Sequence, residues 1–147
     1  MVIRHHHSQV MRILILNGPN LNLLGIREPS IYGSESLETL MHHLTEKFPS
    51  VIFLHLQSNH EGVLIDAIQD KNSYDAIVLN AGGYTHTSVA ISDALAAIKP
   101  RVIEVHLSNI LAREKERHTS LLAQHCLGTI SGFGFDSYVL AVQQLTQ

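Results

Sequence analysis

Residues 75–107, DAIVLNAGGYTHTSVAISDALAAIKPRVIEVHL, decide the fold of this chain. They begin with an apolar run that ends at Asn80, continue into a helical pattern over about 87–98, and resume as an apolar run after Pro100. Short apolar runs bounded by glycine and proline predict buried strands. A helix between two such strands predicts a parallel strand–helix–strand unit, and therefore a parallel sheet with helices on its faces.

The same alternation extends in both directions from this stretch. Strands are predicted at 12–17, 51–56, 75–80, 101–107 and 127–131. Helices are predicted at 37–48, from Ser58–Glu61 onward, and at 87–98, 112–118 and 136–145. Five strands alternating with helices predict an α/β fold: a flavodoxin-like three-layer sandwich with a five-stranded parallel sheet of order 2-1-3-4-5.

Two of these helices begin with capping signals. Ser36 precedes the helical spacing of apolar residues over 37–48, so it is predicted to cap that helix. Ser58 and Glu61 form the S-x-x-E pattern of a capping box, in which each side chain binds a backbone N–H at the helix start. We therefore expect both serines to mark the start of a helix.

The composition is typical of a single globular domain. The chain has 147 residues, of which 45% are hydrophobic and 16% charged, so one ordinary core suffices and intrinsic disorder is excluded. Its net charge of -3 provides no basic surface for nucleic acid or for an anionic membrane. Cys126 is the only cysteine, which excludes an internal disulfide and an all-cysteine metal site.

The first ten residues stand apart from this pattern. They contain the triplet His5–His7 but no apolar stretch of the length that a secretory signal needs. No apolar run in the sequence reaches the roughly 18 residues of a membrane span. We therefore expect residues 1–10 to be an N-terminal extension, residues 11–147 to form a single catalytic domain, and the protein to act in the cytoplasm.

Polar residues cluster where three of the predicted strands end. The first strand leads into 17–20 (NGPN), the third into 80–86 (NAGGYTH), and the fourth ends within 104–108 (EVHLS). In an open parallel sheet, ligands bind beyond the carboxyl ends of the strands, where the strand order reverses. For the order 2-1-3-4-5 that place lies between strands one and three, so the three segments are predicted to form one binding cleft.

The same segments exclude familiar ligands of this kind of cleft. The sequence contains neither G-x-x-x-x-G-K-[ST] nor a G-x-G-x-x-G after the first strand, the motifs that bind nucleotide phosphates. Asn17 and Asn80 stand where a phospho-receiver domain needs carboxylates, and asparagine neither accepts a phosphoryl group nor binds magnesium tightly. The cleft is therefore predicted to bind a hydroxylated, otherwise neutral molecule with one carboxylate.

Glu104 and His106 are the first candidates for chemistry. They stand two positions apart on a predicted strand, so their side chains point to the same face of the sheet. A carboxylate beside an imidazole fixes its tautomer and favours the imidazolium, which suits a proton donor. The alternative is a buried structural ion pair, which would more typically lie in the middle of a strand.

The loop over 18–35 supplies three further residues, Arg27, Glu28 and Tyr32. A loop of this length in a compact domain is usually functional. A tyrosine acts as a base near pH 7 only if its pKa falls by about three units, which corresponds to roughly 4 kcal/mol. Nearby arginines in a dry cleft can provide that stabilisation, although a solvated charge is the alternative for Arg27 alone.

Two more arginines are predicted to lie near this cleft. Arg113 and Arg117 stand one turn apart on the helix predicted at 112–118, which follows the fourth strand. Both can reach the cleft from that position. Surface charges without a functional role are the alternative for each of them taken singly.

Three segments of the chain resemble the type II 3-dehydroquinate dehydratase family: 17–33 (NGPNLNLLGIREPSIYG), 80–93 (NAGGYTHTSVAISD) and 104–117 (EVHLSNILAREKER). The similarity runs from about Met11 to Leu145, and three long motifs in register make it very specific. It implies a lyase without cofactor or metal that removes water from 3-dehydroquinate to give 3-dehydroshikimate. The role would be in aromatic amino-acid biosynthesis or in quinate breakdown.

The resemblance also implies catalytic roles. Tyr32, as the tyrosinate, takes the C2 proton and forms an enolate, while Arg27 lowers the pKa of Tyr32. Asn20 holds a water molecule that stabilises the enolate, in the manner of an oxyanion hole. His106, oriented by Glu104, donates a proton to the leaving C1 hydroxyl.

Substrate binding is implied for a second group of residues. The hydroxyls and the carboxylate of the substrate are expected to bind Asn80, His86, Leu107, Ser108, Arg113 and Arg117. Arg113 is also expected to assist the base. Asp93 matches a further binding position and, because it is acidic, is expected to come from the helix of a neighbouring subunit. The resemblance implies a homododecamer, a tetramer of trimers.

Two other functions are open on the residues alone. A metal-assisted hydrolase of a small polyhydroxylated acid would use imidazole and carboxylate ligands from His86, His106, Glu104 and Asp93. Activity that persists after exhaustive chelation would exclude it. A non-catalytic flavodoxin-like module that binds a partner would have an apolar patch in place of the polar cleft.

Overall fold

The fold is built on one sheet of five parallel strands. The computed structural model describes residues 10–25 and 35–147. The strands are β1 (Arg12–Asn17), β2 (Ile52–Gln57), β3 (Ala76–Asn80), β4 (Arg101–His106) and β5 (Gly128–Ser131). Their order is β2-β1-β3-β4-β5, which confirms the predicted topology. β1 has the predicted bounds, β2 is shifted by one residue at both ends, and β3, β4 and β5 each differ from the prediction by one residue at one end.

Within the described part of the chain, four α-helices cover the two faces of the sheet. They are α1 (Leu37–Lys47), α2 (Glu61–Gln69), α3 (Val89–Ala96) and α4 (Asp136–Leu145). One core cluster contains apolar residues of α1 and α4, and the other contains those of α2 and α3. In β1, Ile13 and Ile15 belong to the first cluster. Leu14 and Leu16 belong to the second, because successive strand side chains point to opposite faces. The three-layer sandwich is thereby confirmed.

The start of α2 corrects the predicted capping box. The residue that precedes α2 is His60, and Ser58 lies too far upstream to cap it. The Ser58 hydroxyl accepts instead from the His60 backbone N–H, at 3.0 Å. The carboxylate of Glu61 accepts from the hydroxyl of Ser88, at 2.7 Å, and so joins the starts of α2 and α3. The predicted cap of α1 is confirmed, since Ser36 accepts from the backbone N–H of Thr39 at 3.2 Å.

The charged helix predicted at 112–118 is wrong. The segment forms two short 3₁₀ turns, Ile110–Ala112 and Lys115–Arg117, separated by extended backbone. A helix of this length needs an apolar face that packs against the protein, and this segment has none. Residues 112–118 contain no large apolar side chain, and the preceding Leu111 is 68% exposed. The structure therefore has four α-helices among the described residues, where five were predicted.

The loops after β1 and β3 pack against each other, backbone to backbone. The N–H of Gly18 donates to the carbonyl of Asn80 at 2.7 Å. A Cβ atom on Gly18 would lie 2.4 Å from the carbonyl oxygen of Ala81. A Cβ atom on Gly82, whose φ is +58°, would lie 2.9 Å from the carbonyl oxygen of Pro19. Only glycine allows this approach at both positions, and the approach sets the distance between two walls of the cleft.

We expect Gly18→Ala to lower the free energy of unfolding by about 2 kcal/mol or more, because the loop backbones must separate to admit a methyl group. Gly62→Ala is the matched control, since a Cβ atom there meets nothing within 4 Å and lies within α2. That change should raise stability by about 0.5–1 kcal/mol through helix propensity. Urea unfolding of both variants measures the difference, and equal midpoints would contradict this account of the packing.

Among the described residues, none of the helices combines the length and the apolar character that crossing a membrane requires.

Candidate active site

A cavity opens at the carboxyl ends of β1, β3 and β4, where the sequence predicts the cleft. Eight of the predicted site residues line it: Asn20, Asn80, His86, His106, Leu107, Ser108, Arg113 and Arg117. The lining is completed by residues that the sequence analysis did not select: Pro19, Leu21, Leu23, Leu24, Gly82, Gly83 and Ile110. The predicted convergence of three segments on one cleft is therefore present in the fold.

Two other predicted site residues that the structure describes, Glu104 and Asp93, do not line this cavity. Glu104 lies behind His106 and contacts its ring. Asp93 is exposed on α3 and is absent from the cavity lining. Arg27 and Tyr32 lie outside the described residues.

The Glu104–His106 pair is buried at the end of β4. The Nε2 atom of His106 lies 2.9 Å from Oε2 of Glu104, and the two side chains are 7% and 1% exposed. A buried carboxylate needs a donor, so the imidazole presents its Nε2–H to Glu104. The other ring nitrogen, Nδ1, remains to exchange a proton with a ligand in the cavity. This geometry orients the imidazole in the way that the sequence spacing predicts.

His86, the second histidine of the cavity lining, is held by the backbone carbonyl of Thr119. Its Nδ1 atom lies 2.8 Å from the carbonyl oxygen of Thr119, so Nδ1 carries the proton and donates. The rings of His86 and His106 are roughly parallel, with centroids 6.3 Å apart and an angle of 22° between their planes. The cavity thus presents two imidazoles side by side, each held by a hydrogen bond through one nitrogen.

Asn80 is fixed in place by the buried hydroxyl of Tyr138 on α4. Its Nδ2 group donates to that hydroxyl at 3.0 Å, and its Oδ1 atom accepts from the backbone N–H of Gly82 at 3.2 Å. Burial raises the pKa of Tyr138 well above its ordinary value, so the phenol keeps its proton. That proton is donated to Oδ1 of Asn17, at 2.5 Å. Tyr138 therefore serves the architecture and is not available as a base.

Asn17 does not line the cavity, although the end of β1 was expected to contribute to it. The residue is fully buried, and its Nδ2 group donates to Nε2 of His55 at 3.1 Å. Burial lowers the pKa of His55, which favours the neutral ring that accepts this bond. Together with the bond from Tyr138, this contact uses both ends of the Asn17 amide inside the core.

Asn20 is held at the rim by its backbone. It has a φ of 69°, the left-handed conformation that asparagine tolerates better than most residues. Its N–H donates to Oδ1 of Asn59 at 3.0 Å. Gln57 donates to the same oxygen and to the carbonyl of Gly18, at 3.2 and 3.1 Å. The turn after β2 thus supports Asn20 without using its side-chain amide in these bonds.

Positive charge lies at the mouth of the cavity. Arg117 Nε lies 2.5 Å from one carboxylate oxygen of Glu114, and Arg113 Nε lies 3.8 Å from the other. The hydrogen bond from Arg117 holds the pKa of Glu114 below its ordinary value, so this carboxylate stays charged. The two guanidinium groups therefore lie on either side of this carboxylate at the rim. Both arginines reach the cavity as predicted, but from 3₁₀ turns and extended backbone and not from a helix.

The lining determines which chemistry the cavity can support. Among residues 10–25 and 35–147, the lining contains amide, hydroxyl and imidazole groups with two guanidinium groups, and no carboxylate. Such a site suits a hydroxylated carboxylic acid. Within residues 10–25 and 35–147, no group of three or more His, Cys, Asp or Glu side chains is placed to hold a metal ion. The ligand set of the metal-hydrolase alternative is not brought together, because Asp93 lies away from the cavity.

Comparison with known proteins gives consistent matches over almost the whole chain. Residues 11–146 match the family described as Dehydroquinase class II. A 3-dehydroquinate dehydratase from Exiguobacterium is 56% identical over 138 residues, which cover 93% of this chain and 95% of the relative. One from Nostoc is 52% identical over 141 residues, with coverage of 93% and 95%. The crystal structure of a type II dehydroquinase from Butyrivibrio crossotus superposes with a TM-score of 0.90 at 47% identity, covering 93% of this chain and 98% of that one.

Proposed function

The chain belongs to the class II dehydroquinase family, and we propose that its cleft removes water from 3-dehydroquinate by abstracting one proton and donating another. The protein is a 3-dehydroquinate dehydratase, and its product is 3-dehydroshikimate. The observation that carries the proposed mechanism is the buried Glu104–His106 pair beside a polar cavity with arginines at its mouth.

The first step is the removal of the C2 proton. Tyr32, as the phenolate, takes this proton, and the electron pair of the C–H bond moves into an enolate. Arg27 and Arg113 favour the phenolate by their positive charge. The side-chain amide of Asn20 holds a water molecule that donates to the enolate oxygen. The assignment is supported by the position of Asn20 and Arg113 in the cavity lining and by the family motif around Tyr32.

The second step is the loss of the C1 hydroxyl. His106, as the imidazolium, donates its proton from Nδ1 to the leaving oxygen, the C1–O bond breaks, and the enolate electrons form the C1–C2 double bond. One water molecule leaves. The phenol at Tyr32 and the neutral imidazole at His106 then return to their starting protonation states through one net proton transfer. The buried carboxylate of Glu104 stabilises the imidazolium before the transfer.

Substrate binding falls to the rest of the cavity lining. Arg117, together with Arg113, supplies the positive charge that a substrate carboxylate needs at the cavity mouth. Asn80, His86 and the Leu107–Ser108 segment bind the hydroxyls. The support for this assignment is that all of these residues line the one cavity, and that His86 and Asn80 are held rigidly by their neighbours.

The proposed function has a direct test. The purified protein is mixed with 3-dehydroquinate, and the absorbance of the conjugated enone in 3-dehydroshikimate is followed with time. We expect absorbance to rise at a rate proportional to protein concentration, before and after exhaustive chelation. No rise in absorbance would refute the proposal, and a rise that chelation abolishes would favour the metal-dependent alternative.

We also propose that the chain assembles as a homododecamer, a tetramer of trimers, in the cytoplasm. In that assembly, Asp93 of one subunit reaches the cavity of the next. The support is that Asp93 is exposed on α3 one turn after Val89, which is 65% exposed although apolar. A single cysteine fits a reducing compartment. Light scattering on the purified protein tests the assembly, and a monomeric mass would refute it.

A further inference from the structure

We propose that Ser120 is a positioning residue for the dehydration, acting on the proton donor His106 through the carboxylate of Glu104. The inference rests on the proposed role of His106 as the acid. No feature of the sequence singled out Ser120, which lies 16 positions after Glu104.

The hydrogen bonds around Ser120 leave its hydroxyl proton only one direction. Its Oγ atom accepts from the backbone N–H of Leu122 at 3.1 Å and from that of Ala123 at 3.0 Å. With both lone pairs of the oxygen used as acceptors, the hydroxyl donates to Oε1 of Glu104 at 2.5 Å. The backbone therefore determines both where this hydroxyl lies and which way it points.

Each oxygen of the buried Glu104 carboxylate is consequently matched to one donor. Oε1 accepts from Ser120, and Oε2 accepts from His106 at 2.9 Å. Glu104 is 1% exposed, so water cannot replace a missing donor easily. The nearby Cys126 stays a neutral thiol and places no second negative charge beside Glu104, because burial and the Glu104 carboxylate raise the pKa of the thiol to about 12. Without the serine hydroxyl the carboxylate would be free to rotate away from the imidazole.

The segment that contains Ser120 is anchored to the turn after β3 and to α3. The backbone N–H of Leu121 donates to the carbonyl of Thr85 at 2.9 Å, and the hydroxyl of Ser92 donates to the carbonyl of Leu121 at 3.1 Å. The preceding residue, Thr119, holds the ring of His86 through its carbonyl. Consecutive residues of one anchored segment therefore orient both imidazoles of the cavity.

The test compares Ser120→Ala with Ser92→Ala. Both remove a serine hydroxyl that forms a hydrogen bond within or to this segment, but only Ser120 contacts Glu104. We expect Ser120→Ala to lower kcat for dehydration about 10- to 100-fold with little change in KM, since a charge-assisted bond has been lost. Ser92→Ala removes one of the two bonds that anchor the segment and leaves the Glu104 contact in place, so it should lower kcat by less than about threefold. Equal kcat values for all three proteins would overturn the inference.

Two further readouts separate positioning from mere support of the fold. In deuterated water, Ser120→Ala should exchange the C2 hydrogen at the natural rate, so that exchange becomes fast relative to dehydration. If exchange and dehydration fall together, the residue supports the site as a whole and the inference is wrong.

In a Glu104→Gln background, Ser120→Ala should lower kcat by less than about threefold, because residues acting through one another are not additive. If the fold-losses in kcat of the two single variants multiply in the double variant, Ser120 does not act through Glu104 and the inference is wrong.

Ser120→Cys covers the case in which the alanine variant does not fold. A thiol is a weak donor of similar size, so kcat should fall while C2 exchange persists. An unchanged kcat for Ser120→Cys would count against the inference. If the natural chain itself does not dehydrate 3-dehydroquinate, the proposed function fails; if it does and the Ser120 variants match it, only this inference fails.

Discussion

Replacement of His106 by alanine is expected to stop the dehydration of 3-dehydroquinate while exchange of its C2 hydrogen with solvent continues. The base removes the C2 proton before the C1–O bond breaks, so an enolate can form and be reprotonated without the acid. Loss of a positioned general acid typically lowers the rate by about 10²- to 10⁴-fold. Alanine also leaves the buried carboxylate of Glu104 without its imidazole partner. The unpaired carboxylate disturbs the position of its neighbours, which lowers the dehydration rate further.

The measurement combines absorbance of the product with deuterium incorporation at C2. His106→Gln should behave like the alanine variant, because an amide can donate to Glu104 but cannot protonate a leaving hydroxyl. His43→Ala is the control, since His43 is an exposed histidine on α1 and its loss should leave both rates unchanged. Simultaneous loss of exchange and dehydration in His106→Ala would mean that His106 takes part in proton removal.

The strand order could be predicted because the sheet follows from side-chain pattern and connection rules alone. β1 reads as a buried strand since all of its residues after Arg12 are apolar up to Asn17, and both faces of that strand are covered. α4 has the predicted bounds because its apolar face recurs at helical spacing and six of its ten residues are buried. Local pattern and tertiary burial agree in these elements.

The errors arose where local pattern and tertiary packing disagree. Ser58 and Glu61 have the spacing of a capping box, but the Glu61 carboxylate binds Ser88, which is 27 positions away in the sequence. Residues 112–118 have helical composition, but the segment has no apolar face that packs against the protein, and it forms separate 3₁₀ turns. The sequence of a segment shows neither which distant residue its side chains will bind nor whether another element will pack against it.

The cleft could be predicted because parallel strands bring their carboxyl ends to one edge of the sheet. The groups that support its residues could not be predicted in the same way. Ser120 and Tyr138 meet Glu104 and Asn80 only through the packing of distant segments, and Tyr138 looks like an ordinary apolar-face residue of α4. Serine and tyrosine at such positions have no periodic pattern in the sequence. The residues that support the cavity-lining side chains can therefore be identified only in the folded structure.

Replacement of Tyr32 by phenylalanine is expected to abolish both dehydration and C2 exchange, a loss of about 10³-fold or more. The reason lies in the order of the steps: without a base no enolate forms, and the acid at His106 has no reaction to complete. The two variants therefore separate the two proton transfers, since exchange should survive loss of His106 and vanish with loss of Tyr32. Both rates can be followed in one deuterated reaction mixture.

Tyr84→Phe is the matched control for this change. Tyr84 lies on the turn after β3, and its hydroxyl donates to the backbone carbonyl of Asn59 at 3.1 Å, so its removal costs one hydrogen bond outside the proposed chemistry. The remaining tyrosines are poor bases, because burial raises the pKa of Tyr74 to about 12 and that of Tyr138 further still. Near-normal exchange in Tyr32→Phe would therefore force the base to be sought outside the tyrosines, and the neutral ring of His86 would be the first group to test.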